Sequence, residues 1–247
     1  MQAAPQVCAL RGERVARLLP RELPAAAPGV HLWWCGLERR TDEIDGIASL
    51  LSPAESARAE RFGTDALKVR WIAGRVALRV VLGRTLRVDP AAVAIRRGAR
   101  GRPELANAGL GIDFNVSHTR GVVLIAIARG LAEGTRIGVD IEHRDREIGA
   151  DRLARKFLTP REQATFADFA PDVRRQRFLR HWTCKEALSK ATGDGLAAPF
   201  RRIDVEISDA PRLVDGPPPY VPVHWSLFYA EVPDEWLATV ALWRRPH

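Results

Sequence analysis

The feature that most constrains the fold of this chain is an internal repeat. The segment 51–62 reads L-S-P-A-E-S-A-R-A-E-R-F and the segment 158–169 reads L-T-P-R-E-Q-A-T-F-A-D-F, so both follow the pattern L-[S/T]-P-x-E-x-A-x4-F. A serine or threonine before proline, with glutamate three positions after the cap, is the sequence of a capping box at a helix start. Two copies of this start predict that the chain contains two similar halves.

The repeat extends beyond the two helix starts. The same offset places 70–72 over 177–179 and 31–33 over 138–140, so a long helix and a strand recur in order. We therefore predict a mixed α/β (α+β) fold of two similar halves, 1–134 and 135–247, which form an intramolecular pseudo-dimer. The first half is predicted to have strands near 30–36, 92–97, 112–116 and 121–129 and helices near 53–62 and 65–86. The second is predicted to have strands near 136–142, 202–207, 224–231 and 237–244, helices near 160–169 and 172–191, and a proline-rich loop at 211–222.

Three carboxylates and a lysine form the strongest candidate site. Asp140 and Glu142 share a face of a predicted strand because alternate residues point the same way. Glu186 and Lys190 share a face of a predicted helix because residues four apart are neighbours. Three oxygen ligands beside an ammonium suit a hard cation that carries a phosphate group. The alternatives are an ordinary strand and a solvated Glu–Lys helix pair.

The repeat predicts one site rather than two. Asp140, Glu142 and Glu186 align with Trp33, Cys35 and Arg79 of the first half, as the sequence shows. The carboxylates therefore occur in the second copy alone. Because ligand pockets favour domain interfaces, we expect a single site where the halves meet.

Three further segments carry polar groups suited to phosphate. Gly101-Arg102-Pro103 predicts a turn that presents an arginine, and Ser117-His118 ends a predicted strand. An ordinary turn is the alternative for the first segment. A Ser–His catalytic dyad is a poor alternative for the second, because neighbours on a strand point to opposite faces and the chain has no G-x-S-x-G elbow. Two arginines on predicted helices, Arg58 and Arg70, are candidate phosphate ligands or solvated side chains.

Composition narrows the class of protein. The net charge of +8 favours an acidic partner, although an arginine-rich composition alone can produce it. The three cysteines, Cys8, Cys35 and Cys184, have no metal-ligand spacing, and their odd number argues against a disulfide framework. No apolar run reaches the roughly 20 residues of a membrane span, and the N-terminus does not resemble a secretory signal. We expect a cytoplasmic protein without a membrane segment.

The ordered motifs resemble a known family. N-V-S-H at 115–118, G-V-D-I-E at 138–142 and W-T-x-K-E-A-x3-K at 182–190 are similar in order and spacing to the Sfp-type 4′-phosphopantetheinyl transferases. The G-R-P turn at 101–103 and the T-P-x-E at 159–162 also match. The resemblance covers about 51–195 and implies the same pseudo-twofold 4′-phosphopantetheinyl transferase fold.

The resemblance implies an activity and its cofactor. The family moves the phosphopantetheine arm of coenzyme A to a serine of an apo acyl, aryl or peptidyl carrier protein and releases adenosine 3′,5′-bisphosphate. It implies Mg²⁺ held by Asp140, Glu142 and Glu186, with Lys190 neutralising a pyrophosphate oxygen. Glu186 is expected to be a metal ligand, the general base for the carrier serine, or both, and the serine proton is expected to leave either directly to Glu186 or through a metal-bound water. The protein is expected to be a monomer, in contrast to the short trimeric synthase-type transferases.

The resemblance also implies contacts with coenzyme A. Ser117 and His118 are expected to bind its phosphates, and Lys185 is placed near them without a clear role. The remaining implied contacts are Arg70 and Arg58 at the 3′-phosphate, and Gly101, Arg102 and Pro103 at the adenine.

Two other functions stay open at the level of sequence. The first is an arginine-rich nucleic-acid-binding protein, but the chain has no recognisable binding motif, and three clustered carboxylates repel phosphate without a metal. The second is an inactive relative that only binds coenzyme A or carrier protein. The presence of Asp140, Glu142, Glu186 and Lys190 argues against it.

Overall fold

A computed structural model describes residues 20–98, 100–107, 111–165 and 168–246. The N-terminal segment 1–19, which includes Cys8, lies outside the described residues. Contacts divide the described chain into two compact units. The first comprises 20–22, Trp33–Ile95 and Arg120–Val123, and the second comprises Leu23–Leu32, Arg96–Thr119 and 124–246. The predicted halves 1–134 and 135–247 differ from these units and stay a prediction based on the repeat.

Runs of strands and runs of helices follow one another along the chain, so the predicted mixed α/β class is confirmed. The helices of the described residues are α1 (Thr41–Asp45), α2 (Pro53–Ala59), α3 (Asp65–Leu86), α4 (Ala150–Phe157), α5 (Pro160–Ala164) and α6 (Pro171–Thr192). The strands are β1 (Arg21–Leu23), β2 (Val30–Gly36), β3 (Ile95–Arg97), β4 (Pro103–Leu105), β5 (Ile112–Thr119), β6 (Val122–Arg129), β7 (Thr135–His143), β8 (Asp204–Glu206), β9 (Arg212–Asp215), β10 (Trp225–Tyr229) and β11 (Trp236–Arg244). None of the helices in the described part of the chain is long and apolar enough to cross a membrane.

The strands form two larger sheets and two pairs. One sheet has the order β1-β2-β6-β5. The second sheet, in the order β10-β11-β7, belongs to the second unit and is antiparallel, with Thr239 of β11 opposite Asp140 of β7. The pairs are β3-β4 and β8-β9. The predicted loop at 211–222 is wrong in part because its first residues form β9, in which buried Leu213 pairs with Val205.

The two repeated helix starts have the predicted structure. Ser52 accepts a hydrogen bond from the backbone N–H of Glu55, and the Glu55 carboxylate accepts one from the backbone N–H of Ser52. Thr159 and Glu162 exchange the same two bonds at the start of α5. In both copies the glutamate is buried, which leaves its charge in need of a partner.

Each buried glutamate is neutralised by a buried cation from the following long helix. In the first unit, Arg79 of α3 donates to Glu55 at 2.6 Å and to the carbonyls of Pro90, Ala91 and Val93. In the second unit, Lys185 of α6 lies 2.7 Å from Glu162. Removal of one partner of such a pair is costly because the other is left as an unpaired buried charge.

Side chains of β5 satisfy the open edge of β7. The backbone N–H groups of Ile137, Val139 and Ile141 donate to Asp113 Oδ2 at 2.8 Å, Asn115 Oδ1 at 3.1 Å and Ser117 Oγ at 3.3 Å. Alternate residues of β5 share one face, so a single strand face supplies all three acceptors. This side-chain pairing fixes the register of β5 against β7 within the second unit.

Gly138 brings β7 against the last part of α6. A Cβ atom at this position would lie 1.9 Å from the carbonyl oxygen of Ala187 and 2.6 Å from the backbone nitrogen of Ala191. Backbone atoms cannot move aside as a flexible side chain can. The glycine therefore sets the distance between the strand that carries Asp140 and the helix that carries Glu186.

Replacement of Gly138 by alanine is expected to destabilise the protein by about 3 kcal/mol, at the upper end of overpacking effects, because β7 and α6 must separate. Chemical denaturation measures the loss of unfolding free energy. Gly63→Ala is the matched control, since a Cβ atom there meets nothing within 4 Å. Equal stabilities for the two variants would contradict the close contact.

Candidate functional site

The centre of the candidate site joins β5, β7 and α6. Asp140 Oδ1 accepts hydrogen bonds from Ser117 Oγ at 2.8 Å and from Lys190 Nζ at 2.7 Å. Lys190 Nζ also donates to Ser117 Oγ at 2.9 Å. Asp140 and Ser117 are buried, whereas Lys190 is partly exposed. The three side chains hold one another in place, and the ammonium balances the buried carboxylate.

Glu142 lies next along the same face of β7. Its Oε2 accepts a hydrogen bond from Thr119 Oγ1 at 3.4 Å, and its Oε1 forms an ion pair with the half-exposed guanidinium of Arg146. Burial raises the pKa of the Glu142 carboxyl, and the charge of Asp140 raises it further. The two carboxylates of β7 therefore repel each other, and Arg146 offsets part of that repulsion.

Glu186 is the third carboxylate and the one with the most perturbed ionisation. Burial raises its pKa to about 7, and the charges of Asp140 and Glu142 act in the same direction against Lys190. Its Oε1 is buried without a hydrogen-bond partner among the described residues. A glutamate with these properties accepts a proton or a cation readily at neutral pH.

The three carboxylates fit a hard divalent cation. All donors are oxygen atoms, and Asp140 Oδ2 and Glu186 Oε1 are both buried without a partner among the described residues. In the part of the chain that the structure describes, no group of three or more His, Cys, Asp or Glu side chains is already arranged to hold a metal ion. Lys190 and Arg146 occupy the other oxygens of Asp140 and Glu142, so these basic groups balance the charge in this arrangement.

Arg102 is buried rather than presented to a ligand. Its guanidinium forms a bidentate pair with Asp113 and donates to the carbonyls of Lys190 at 3.0 Å and Ile137 at 2.7 Å. The side chain therefore ties the turn to the end of α6 and to β7. Arg102 is 7% exposed, so its predicted contact with coenzyme A is not supported. Gly101 adopts a positive φ of 81° in this turn and Pro103 begins β4.

Lys185 points away from the carboxylates into the core. It is 0% exposed, and its ammonium contacts Glu162 and the carbonyls of Phe157, Phe200 and Ile203 at 3.1 Å or less. A side chain with no exposed surface cannot reach coenzyme A. The predicted ligand contact for Lys185 is therefore replaced by a structural role.

The other predicted contacts are placed less directly. His118 is exposed on β5 beside buried Ser117, in keeping with strand alternation. Arg58 and Arg70 lie in the first unit, where Arg58 stacks over Trp71 at 5.8 Å and Arg70 pairs with Glu38 at 2.8 Å. Their role at a 3′-phosphate stays a prediction.

Two polar residues of the site were missed in the sequence. Arg146 follows Glu142 by four positions in an irregular segment, so no helical or strand period connects the pair. Asp113 sits four residues before Ser117 on β5, and the alternation Asp113, Asn115, Ser117 was the available signal for a polar strand face.

Comparison with known proteins agrees with this geometry. The model of the 4′-phosphopantetheinyl transferase superfamily matches residues 136–241, and that of the 4′-phosphopantetheinyl transferase N-terminal region matches 38–129. The chain is 34% identical to the 4′-phosphopantetheinyl transferase HetI of Nostoc sp., over 90% of this chain and 91% of that protein. It is 33% identical to a putative 4′-phosphopantetheinyl transferase of Synechocystis sp., over 71% and 70% of the two chains.

A more distant match has a eukaryotic source. L-aminoadipate-semialdehyde dehydrogenase-phosphopantetheinyl transferase of Xenopus laevis is 29% identical over 65% of this chain and 55% of its own length. The extent of the HetI match and the two adjoining family matches cover both the first long helix and the carboxylate site. The chain therefore belongs to the 4′-phosphopantetheinyl transferase superfamily and is a phosphopantetheinyl transferase.

Proposed function

We propose that the protein transfers the phosphopantetheine arm of coenzyme A to a serine of an apo acyl, aryl or peptidyl carrier protein, with Mg²⁺ as cofactor. The observation that carries this proposal is the cluster of Asp140, Glu142 and Glu186 beside Lys190. Two of its carboxylate oxygens are buried without a partner among the described residues. Such a cluster suits a cation and a pyrophosphate better than it suits either alone.

Asp140, Glu142 and Glu186 are the proposed ligands of Mg²⁺. This ion prefers a few carboxylates together with phosphate oxygens and water, which three acidic side chains and a bound pyrophosphate provide. When bound, it supplies charge stabilisation and orientation to the two phosphates. The thiol-free, imidazole-free donor set of this cluster is consistent with magnesium rather than a softer metal.

Lys190 and Ser117 position the phosphates. The Lys190 ammonium is partly exposed and has three protons, two of which go to Asp140 and Ser117. A pyrophosphate oxygen accepts the third, and the ammonium neutralises the charge that develops on the leaving group. Ser117 Oγ accepts a hydrogen bond from the backbone N–H of Ile141, which anchors it on β5. This anchored hydroxyl in turn holds the Lys190 ammonium in place. Exposed His118 is a further phosphate donor.

Glu186 is the proposed general base. The serine oxygen attacks the pantetheine-side phosphorus, its proton passes to Glu186, and the bond to the bridging oxygen breaks to release adenosine 3′,5′-bisphosphate. A base works best when its pKa is near the working pH, and in the metal-free cluster burial raises the pKa of Glu186 to about 7. The same residue serves as base and metal ligand through its two oxygens.

The transferase activity is tested by the mass of a carrier protein. Incubation with coenzyme A, Mg²⁺ and apo carrier is expected to add one phosphopantetheine group to the serine. Asp140→Asn is expected to reduce the rate by about 100-fold or more, because it removes a ligand charge while it keeps the side-chain shape. Absence of a mass gain across acyl and peptidyl carriers would refute the function.

Asp215→Asn is the matched control for this variant. Asp215 is an exposed carboxylate on β9 of the same unit, so the substitution removes an equal charge away from the cluster. It is expected to retain full activity. Calorimetry with Mn²⁺ measures the metal site independently, and unchanged Mn²⁺ affinity in Asp140→Asn would rule out Asp140 as a ligand.

Metal binding is expected to strengthen as the pH rises through about 7. The raised pKa of Glu186 means that the folded protein holds a proton there up to neutral pH, and the proton must leave before the carboxylate binds a cation. Without metal, the same shift makes the folded state lose stability as the pH rises from about 4.5 to about 7.

Mn²⁺ titrations between pH 5.5 and pH 8.5 measure how metal affinity depends on pH, with the range set around the Glu186 pKa of about 7. Glu186→Gln cannot titrate, and its Mn²⁺ affinity is expected to be weaker and less dependent on pH in this interval. An equally steep pH dependence in Glu186→Gln would assign the titration to another group.

A further inference from the structure

A polar cavity lies beside the carboxylate cluster in the same unit. Its volume is about 430 Å³, and its lining includes Arg144, Arg180, Thr183 and Tyr229. Thr183 precedes Glu186 by one turn of α6, which is about 5 Å along the helix. Leu237 also lines the cavity and lies opposite Glu142 in the β7–β11 register. The cavity and the proposed transfer site are therefore neighbours on the same helix and strands.

Two basic side chains, Arg144 and Arg180, line this cavity. Neither Arg144 nor Arg180 forms an ion pair with a described residue, although both are half-buried. The Arg180 guanidinium lies 4.9 Å from the centre of the Tyr229 ring, which orients it. An arginine on the open surface is solvated and needs no partner, whereas Arg144 and Arg180 line a cavity.

The cavity also contains buried polar atoms without partners. The hydroxyl of Tyr229 and the Nε of Arg144 are both buried and lack a hydrogen bond to any described residue. Buried polar atoms are normally paired, so unpaired donors that line a cavity indicate a missing acceptor. Burial also raises the pKa of Tyr229 to about 12, which keeps its hydroxyl a donor at physiological pH.

The chemistry of the missing group is that of a carboxylate. Two guanidinium groups supply donors alone, the phenol hydroxyl can donate one further hydrogen bond, and a guanidinium matches the two oxygens of a carboxylate. Exposed Glu231 and Asp234 also line the cavity. These acidic residues repel a free anion that carries several charges. A partner protein can instead place one carboxylate between the two arginines of the cavity and place basic side chains of its own near Glu231 and Asp234.

We propose that this cavity binds an acidic side chain of the carrier protein while its serine is presented to Glu186. The inference rests on the proposed function, because a carrier that reaches Glu186 must cover the adjoining turn of α6. Arg144 and Arg180 then determine carrier affinity rather than chemistry, since neither belongs to the carboxylate cluster.

The test is the kinetics of the double variant Arg144→Ala/Arg180→Ala. Its KM for carrier is expected to rise about tenfold or more, with kcat at saturating carrier and the KM for coenzyme A unchanged. Arg201→Ala/Arg202→Ala is the matched control, because it removes two exposed arginines of the same unit and hence the same charge. Equal KM values for the two double variants would overturn the proposal.

A double-mutant cycle identifies the source of the carboxylate. Acidic residues around the carrier serine are changed one at a time, Asp→Asn or Glu→Gln. At least one of these carrier variants is expected to raise the KM of the wild-type transferase for carrier. The same carrier variant is expected to leave the KM of the double variant Arg144→Ala/Arg180→Ala unchanged. Additive effects for every such carrier variant would contradict an acidic partner residue.

Thermal melting in phosphate or citrate tests a free anion. Millimolar stabilisation of the wild type that the double variant lacks would assign the cavity to a small anion and overturn the carrier assignment. Failure of the proposed function has a different signature, since the wild type would then modify no carrier and both proposals would fall.

Discussion

The arrangement of the carboxylate cluster depends on the polar side chains of β5 that bond to the edge of β7. Edge strands present unpaired N–H groups, and here Asp113, Asn115 and Ser117 accept three of them. The last of these three also bonds to Asp140 and Lys190. One strand face thus fixes the fold of the unit and orients the carboxylate cluster, so the N-V-S-H segment has a structural function in addition to its proposed role in phosphate binding.

The internal repeat explains why the carboxylates occur in one copy. In the first copy, Arg79 neutralises the buried Glu55 of the capping box. Arg79 aligns with Glu186, yet Glu186 cannot neutralise the corresponding Glu162. Lys185, one residue earlier, does so instead. The shift of the structural cation by one position releases the next residue for a carboxylate, which gives the adjacent lysine and glutamate of the W-x-x-K-E segment their separate roles.

Local periodicity predicted the elements that carry the site, and it failed where long side chains reach distant partners. The alternation of β7 and the spacing of α6 correctly placed Asp140 and Lys190 together, 2.7 Å apart. The same rules gave no indication that Arg102 spans to Ile137 and Lys190. The short helix α4 and strand β9 were also missed, because brief elements have few residues over which a period can be recognised.

The electrostatics of the cluster follow from its burial and its like charges. Burial is the main cause of the raised pKa of the Glu142 and Glu186 carboxyls, the charge of Asp140 raises both further, and Lys190 and Arg146 offset only part of these effects. The cluster therefore favours any added positive charge, whether proton or metal. Since a proton and the proposed metal ion compete for Glu186, we expect metal binding to be linked to deprotonation. A surface pair of the same residues would lack this link, because solvent would screen the charges and leave the carboxylates near their ordinary ionisation. Packing of β7 against α6 at Gly138 is therefore as much a determinant of the chemistry as the acidic residues themselves.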